Sequence, residues 1–410
     1  MTEYYDNLET RDPDVRDAAL FDELPYQIAN AKDNAPHYRD LLADVEPNDI
    51  TDRAALAALP VTRKSDLIEL QRQKMPFGGL STVIRGNLVR IYQSPGPIYD
   101  AEGHEHDYWR TGRAFFGAGF RPCRVIHNTF SYHFTPAGAM VDSGARAVGC
   151  AVFPAGTGNT ELQIKAIQDV RPHYYAGTPS FLKILLEAAR EMKADISSMK
   201  RASVAGEGLP PSLRADIKAL GVETTQWYGT ADVGLIAYET EAMEGLVVDE
   251  GAIVEIVRPG TGDVVADGEV GEVVVTTYAA EYPMIRFATG DLSAVMPGQS
   301  PCGRTNMRLK GWMGRADQTT KVKGMFVHPA QVAEVCKRHP EIIRSRLVVS
   351  QEKGRDVMTL QCECNGGDAD AKQVAATLQA VCKLKGRVEL TPPETLPNDG
   401  KVIDDTRPVE

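Results

Sequence analysis

The sequence predicts an α/β protein: a large N-terminal domain built on a parallel βαβ sheet with a β-subdomain, then a small α+β domain at the C-terminus. Three observations carry this. From about residue 124 to 229, short apolar runs alternate with amphipathic stretches ("RVIHNTF", "GCAVFPAG", "TELQIKAIQDV", "HYYAGTP", "SFLKILLEAAREM", "ASVAGEG", "SLRADIKAL", "ETTQWYG"). That is the order of βαβ units, whose right-handed crossovers give a parallel sheet covered by helices. From about 245 to 290 the pattern changes, and "AIVEIVRPGTGDVVADGEVGEVVVTTYA" alternates by two around "PGTGD" and "ADGE" turns, as β-hairpins do. Beyond "GWMGRADQTTKVKGMFVHP" a hairpin pattern, "SRLVVSQEKGRDVMTLQCEC", precedes a helical one and "RVELT". With 410 residues the chain exceeds what one hydrophobic core usually serves, so a second, smaller domain is expected.

In chain order, the first 75 or so residues read as helical cover, since "DAALFDELPYQIANAKDNAPHYRDLLADV" offers caps and amphipathic periodicity. Next comes a strand-like "LVRIY" and then "QSPGPIYDAEG", Gln93 to Gly103. It has the glycines and serine of a phosphate-gripping turn, but prolines at 95 and 97 and acids at 100 and 102. The strand ends of the βαβ series, "PAGTGNT", "AGTPS", "AGEGLPP" and "YGTAD", are rich in Gly, Ser and Thr. Backbone amides there can approach a ligand closely, and ligands of open parallel sheets bind at the carboxyl ends of strands. In the last domain Val374, Leu378, Val381 and Leu384 stand at helical spacing. The boundary falls near Asp317, giving domains 1–316 and 317–410.

Composition narrows the function. A hydrophobic fraction of 43% and a charged fraction of 25% mark an ordinary globular chain, with no long apolar span for a membrane. A net charge of -11 argues against general nucleic-acid binding and for small-molecule chemistry. The acidic start "MTEYYDNLETRDPDVRD" is the opposite of a secretion signal. Seven cysteines without framework spacing fit a reducing cytoplasm. Cys362 and Cys364 are expected on one buried face of a strand.

Four local patterns carry chemistry. In "QWYGTADVG" Tyr228 offers a flat aromatic face, Thr230 a hydroxyl and Asp232 a hard carboxylate suited to Mg²⁺. In "YPMIRFATGDLSAV" Asp291 follows a Thr-Gly turn and can accept hydrogen bonds from ribose hydroxyls. "GRADQTTKVKG" sets Arg315 and Asp317 at the domain junction, and "LPNDGKVIDD" sets Lys401 in a Gly/Asn loop near the end. Taken singly, each has a plainer reading: a strand-to-loop transition, a turn aspartate, a solvated linker, a surface lysine.

In this order and at these separations the patterns resemble the AMP-forming adenylating superfamily of acyl-CoA synthetases, within it the phenylacetate-CoA ligase-like branch. The resemblance extends to "APHYRDLL", "LPVTRKSDLIE", "PAGTGNTELQIKAIQDVRPHYYAGTPSFL", "DGEVGEVVVTT", "VHPAQVAEV" and "VELTPPETLPNDGKVIDD", nearly the whole chain. It implies that a carboxylate attacks the α-phosphate of Mg·ATP to give an acyl-adenylate and pyrophosphate, and that a thiol, usually CoA, then displaces AMP. It implies a mobile C-terminal domain turning about a hinge acid, here Asp317. By matching positions, Tyr228 stacks on adenine, with Gly229 and Thr230 in the same nucleotide-binding segment. Gly206, Glu207 and Gly208 line the adenine edge, Asp291 and Arg315 hold the ribose, Asp232 helps hold Mg²⁺, and Lys401 binds the α-phosphate side during adenylation.

Two departures accompany the resemblance. Asp232 stands where the family has Glu, in a "YGxTE" pattern. Cys and His ligands that several relatives carry after it are missing from "LIAYETEAMEGLVVDE", so no structural zinc is expected there. The larger departure is the phosphate loop, a Ser/Thr/Gly run in the family. Only Ser94 and Gly96 correspond, and Pro95 and Pro97 lack the amide hydrogens that such a nest donates. Asp100 and Glu102 add negative charge near an expected polyphosphate; they read either as Mg²⁺ ligands or, more plainly, as exposed turn residues. His104, His106 and Arg110 read as substitute phosphate contacts or as a solvated helix start. For the acid, "HNTFSYHFTPAG" supplies Phe130, Tyr132, His133 and Phe134, suited to a flat aromatic acid and equally to a core strand. The functional expectation is an aryl or arylacetic acid:CoA ligase. The alternatives are acyl transfer to an amine or carrier, or a nucleotide- or acyl-binding relative with impaired catalysis. A homodimer is the common default.

Overall fold

Pro13 supplies the fixed first turn and Asp12 the cap of α1 (Pro13–Asn34), the Asp12 carboxylate accepting the N–H groups of Asp14 and Val15. The helix buries Leu20, Phe21, Leu24 and Ile28. The computed structural model describes residues 3–94, 97–316, 318, 320–322, 325–352, 355–364 and 370–407. Pro95, Gly96 and Asp317, singled out above, lie outside them. After the leading helices, β1 (Arg90–Ser94) and β2 (Ile98–Glu102) pair antiparallel, with Arg90 opposite Glu102 and Ser94 opposite Ile98.

The alternating segments then form β3 (Val125–Asn128), β4 (Ala151–Pro154), β5 (Tyr174–Gly177), β6 (Arg201–Val204) and β7 (Glu223–Thr230). Their parallel order is β4-β3-β5-β6-β7. The crossovers are α2 (Ala137–Val148), α3 (Thr160–Val170), α4 (Pro179–Glu191) and α5 (Pro211–Ala219). On α4, Leu182, Leu185, Leu186 and Ala189 recur at helical spacing and join Tyr175, Ala202 and Val204 of the sheet in one core. Antiparallel strands β8 (Gly234–Tyr238), β9 (Leu246–Val248) and β10 (Arg308–Leu309) continue the sheet from β7. The chain leaves β3 for β4 and returns to β5 on the other side of β3. Strand order therefore reverses between β3 and β5, and the carboxyl ends at such a reversal are where open α/β sheets bind their ligands.

Two compact units result: Met1–Val254, Val274–Thr289 and Met296–Trp312 form one, and Glu255–Val273, Gly290–Val295 and Met313–Glu410 the other. The second unit holds α6 (Pro329–Lys337), β11 (Ile342–Glu352), β12 (Arg355–Cys364), α7 (Ala371–Cys382), β13 (Arg387–Thr391) and β14 (Ile403–Asp405). Its sheet order is β13-β12-β11-β14. Cys362 and Cys364 are both buried on β12, as the period of two requires. The buried face of α7 is Val374, Leu378 and Cys382. Val381 is only partly buried, and Leu384 enters the same core from beyond the helix end, because a 3.6-residue turn brings Cys382 into line after Leu378. Among the described residues no helix is long and apolar enough to cross a membrane.

Candidate functional site

At this reversal, β5 has to end in glycine: a Cβ at Gly177 would lie 2.0 Å from Thr129 Oγ1, the hydroxyl that donates to Tyr175 at 2.8 Å. Phe130 leaves β3 here and meets Trp227 edge-on, with ring centroids 6.4 Å apart. Gly206 follows β6 at φ 81°, and a Cβ there would be 3.7 Å from both the Phe130 ring and Thr178. Gly208 has open space around it, and the exposed Glu207 carboxylate accepts the Ser180 N–H at 3.4 Å. On β7 the Tyr228 hydroxyl lies 3.2 Å from Thr289 Oγ1. A Cβ at Gly229 would meet the Gly234 carbonyl at 2.5 Å, and Thr230 Oγ1 accepts the Val233 N–H at 3.4 Å. The fold thus gathers Phe130, Gly206 and Thr178 at adjacent strand ends.

The other three aromatics of the expected acid pocket lie in the loop after β3. The Tyr132 hydroxyl donates to Asp142 and accepts from Asn128, each at 2.8 Å. His133 is exposed, its N–H on Ser131 Oγ, and Phe134 is 74% exposed. The Phe134 carbonyl accepts the Gln93 N–H at 2.8 Å, which fixes this loop against β1.

Asp100 and Glu102 are not exposed turn residues. The hairpin points alternate residues of β2 inward, leaving Asp100 1% exposed and Glu102 likewise buried. Glu102 accepts from the Tyr92 hydroxyl at 2.7 Å and Arg90 at 3.0 Å. Asp100 Oδ2 accepts from Ser94 Oγ at 2.7 Å. Beside it is Asp232, 8% exposed, whose Oδ2 receives the Lys64 ammonium at 2.6 Å. The Oδ1 atoms of both aspartates, and the Tyr282 hydroxyl, are buried without a hydrogen-bond partner. Burial, then the neighbouring Asp232 charge, push the Asp100 carboxyl up to about 8; burial and both aspartates push the Tyr282 phenol well up. Arg110 is not solvated: it holds Asp249 at 2.7 Å and the carbonyls of Val233 and Leu235 at 2.6 and 3.0 Å. His104 Nε2 lies 2.9 Å from the Asn87 carbonyl, and His106 is exposed.

Lys64 was not legible as a site residue, because a lone lysine in "VTRKSDL" has no local signal and its partner lies 168 residues away. The Asp100 shift gives a testable pH dependence. Between the ordinary carboxylate value near 4 and about 8, the folded chain holds a proton that the unfolded chain has lost, so stability falls as pH rises through that window. Asp100→Asn removes the titrating group. The expected result is a flatter plot of Tm against pH, with Tm above wild type at the alkaline end; superimposable plots contradict it.

In the second unit, Asp291 and Arg315 bridge antiparallel and pair at 2.8 Å. Gly290 stands at φ 76°, a conformation that L side chains rarely adopt, beside the Arg315 guanidinium. Lys401 is half exposed, its ammonium on Asp404 at 2.7 Å. It borders a cleft of about 590 Å³ that is also lined by Arg258, Arg344 and Arg346.

A divalent cation fits the Asp100–Asp232 pair on the ground of its two orphaned carboxylate oxygens. Among the described residues no three His, Cys, Asp or Glu side chains group together, so remaining ligands would be hydroxyl, water or substrate oxygens, the pattern Mg²⁺ prefers.

Residues 110–280 match the family model described as AMP-binding enzyme. The phenylacetate-coenzyme A ligase of Aromatoleum evansii is 31% identical over 376 residues, covering 87% of this chain and 84% of that protein. The phenylacetate-coenzyme A ligase of Thermus thermophilus is 30% identical over 378 residues, covering 88% and 84%. Among solved structures, 2-hydroxyisobutyryl-CoA ligase in the postadenylation state, in complex with 2-HIB-AMP, shares the fold. The TM-score is 0.72 at 23% identity, over 97% of this chain and 91% of that one. With sequence likeness running through most of both chains and the architecture in agreement, the protein belongs to the ATP-dependent, AMP-forming acyl-CoA ligases, in their phenylacetate-CoA ligase branch.

Proposed function

We propose that the protein activates an aryl or arylacetic acid as its acyl-adenylate and transfers the acyl group to CoA. One acid oxygen attacks the α-phosphorus of ATP, the bond to the β-phosphate oxygen breaks and pyrophosphate leaves. The CoA thiolate then attacks the acyl carbon, the bond to the AMP oxygen breaks and AMP leaves. The observation carrying the aryl reading is Phe130, set edge-on to Trp227 beside Gly206 at the strand-order reversal, an aromatic wall on which a flat acid can pack.

Tyr228, Gly229 and Thr230 with Gly206, Glu207 and Gly208 take the adenine, and the paired Asp291 and Arg315 take the ribose. Asp232 would hold Mg²⁺, whose chemistry there would be neutralisation of polyphosphate charge. The C-terminal domain, 317–410, is the mobile part, with Asp317 its hinge. Lys401 supplies positive charge to the α-phosphate during the first step. Incubation with ATP, Mg²⁺ and a panel of acids, with and without CoA, followed by mass spectrometry, tests this. The expected products are AMP and an aryl-CoA, with acyl-adenylate when CoA is withheld. AMP with no thioester would move the acceptor to an amine or carrier thiol; no AMP with any acid would overturn the reading.

A further inference from the structure

The Asp100–Asp232 pair differs from the other buried acids of its unit. Glu9, Glu102, Asp249 and Glu250 are each met by arginine. In the pair, each carboxylate has one oxygen fixed by a donor, Asp100 by Ser94 and Asp232 by Lys64, and one oxygen left bare. The carboxyls lie within hydrogen-bonding reach of each other, and the fully buried Tyr282 hydroxyl, also without a partner, feels both. Ionised together, two such buried carboxylates repel, and an orphaned oxygen costs its desolvation unless something occupies the space beside it.

We propose that Asp100 joins Asp232 as a second protein ligand for a divalent cation, so that this chain seats its cation before nucleotide arrives. Lys64 and Ser94 act as positioning residues, each fixing the other oxygen of its carboxylate. The inference rests on the reading of the site as one for Mg·ATP and adds a residue from the hairpin that stands where the family carries its phosphate loop. It also gives that hairpin a way to hold polyphosphate. Pro95 and Pro97 have no amide hydrogens to offer, whereas a cation held by Asp100 and Asp232 would supply positive charge to the polyphosphate.

The test is titration of the full-length, nucleotide-free protein with Mn²⁺ alone, followed by electron paramagnetic resonance, for wild type, Asp100→Asn and Asp232→Asn. Wild type is expected to bind one tight Mn²⁺ per chain, and each variant to bind it at least about tenfold more weakly, since even residues behind a ligand cost 10- to 100-fold. Circular dichroism and melting of the same samples establish folding. Equal Mn²⁺ affinity in wild type and Asp100→Asn overturns the inference, and so does absence of Mn²⁺ binding by wild type. An acyl-CoA assay on the wild type separates the two claims: thioester formation without Mn²⁺ binding refutes only the cation seat, and Mn²⁺ binding without any AMP formation refutes only the proposed function.

Discussion

Lys401→Ala lowers acid-dependent pyrophosphate release by on the order of 10²-fold or more, while thioester formation from a supplied acyl-adenylate persists. Displacement at phosphorus asks for little covalent help from a protein; positioned positive charge on the developing negative oxygens carries most of the stabilisation. The loop bearing Lys401 is held at several points. Asn398 Oδ1 accepts the Val270 N–H at 3.2 Å, the Gln318 carboxamide donates to the Gly400 carbonyl at 3.0 Å, and its oxygen accepts the N–H groups of Val402 and Ile403. The side chain is 49% exposed and, among the described residues, its ammonium pairs with Asp404, an exposed pair of the kind worth under about 1 kcal/mol. It can therefore leave that partner for a phosphate at little cost. Stopped-flow pyrophosphate release and a separate thioester assay from synthetic acyl-adenylate read the two steps apart. Equal loss in both would remove Lys401 from the first step.

Glu9→Ala destabilises the protein by about 3–5 kcal/mol, the cost of leaving a buried charge without its partner. Glu9 is 0% exposed and accepts from the Tyr238 hydroxyl at 2.7 Å, the Tyr5 N–H at 3.1 Å and the Arg304 guanidinium at 2.9 Å. The Arg304 side chain is itself buried, its rim stacked over Tyr4 and Tyr238. Truncation would leave Arg304 charged, desolvated and uncompensated. The double variant Glu9→Ala with Arg304→Met should recover part of the loss, because the stranded charge is gone. Thermal melting by far-ultraviolet circular dichroism tests this. A single variant melting with wild type, or a double variant melting below the single, contradicts it.

The parallel sheet was legible because strands covered on both faces must be short apolar runs, and "HYYAGTP" and "ASVAGEG" are such runs between amphipathic helices. Asp291 and Arg315 were legible as motif members, and the structure pairs them directly. Val381 on α7 was misread as a member of the buried face, where Cys382 stands instead, because apolar spacing alone does not choose between adjacent residues when both are small and apolar. The hairpin acids were misread for a deeper reason. An acid in a Pro/Gly stretch reads as solvated, and only the meeting of β2 with the end of β7 turns Asp100 into a buried partner of Asp232. The charge that balances that pair, Lys64, comes from a distant segment whose local sequence carries no sign of it.

The central claim is that a carboxylate oxygen attacks the α-phosphorus of ATP. Supplying phenylacetate labelled with ¹⁸O in both carboxyl oxygens, with ATP, Mg²⁺ and CoA, and weighing the AMP, tests it directly. One ¹⁸O carried into AMP, with the other retained in the thioester carbonyl, is the predicted result; AMP free of label, or label recovered in inorganic phosphate or pyrophosphate, would contradict the account.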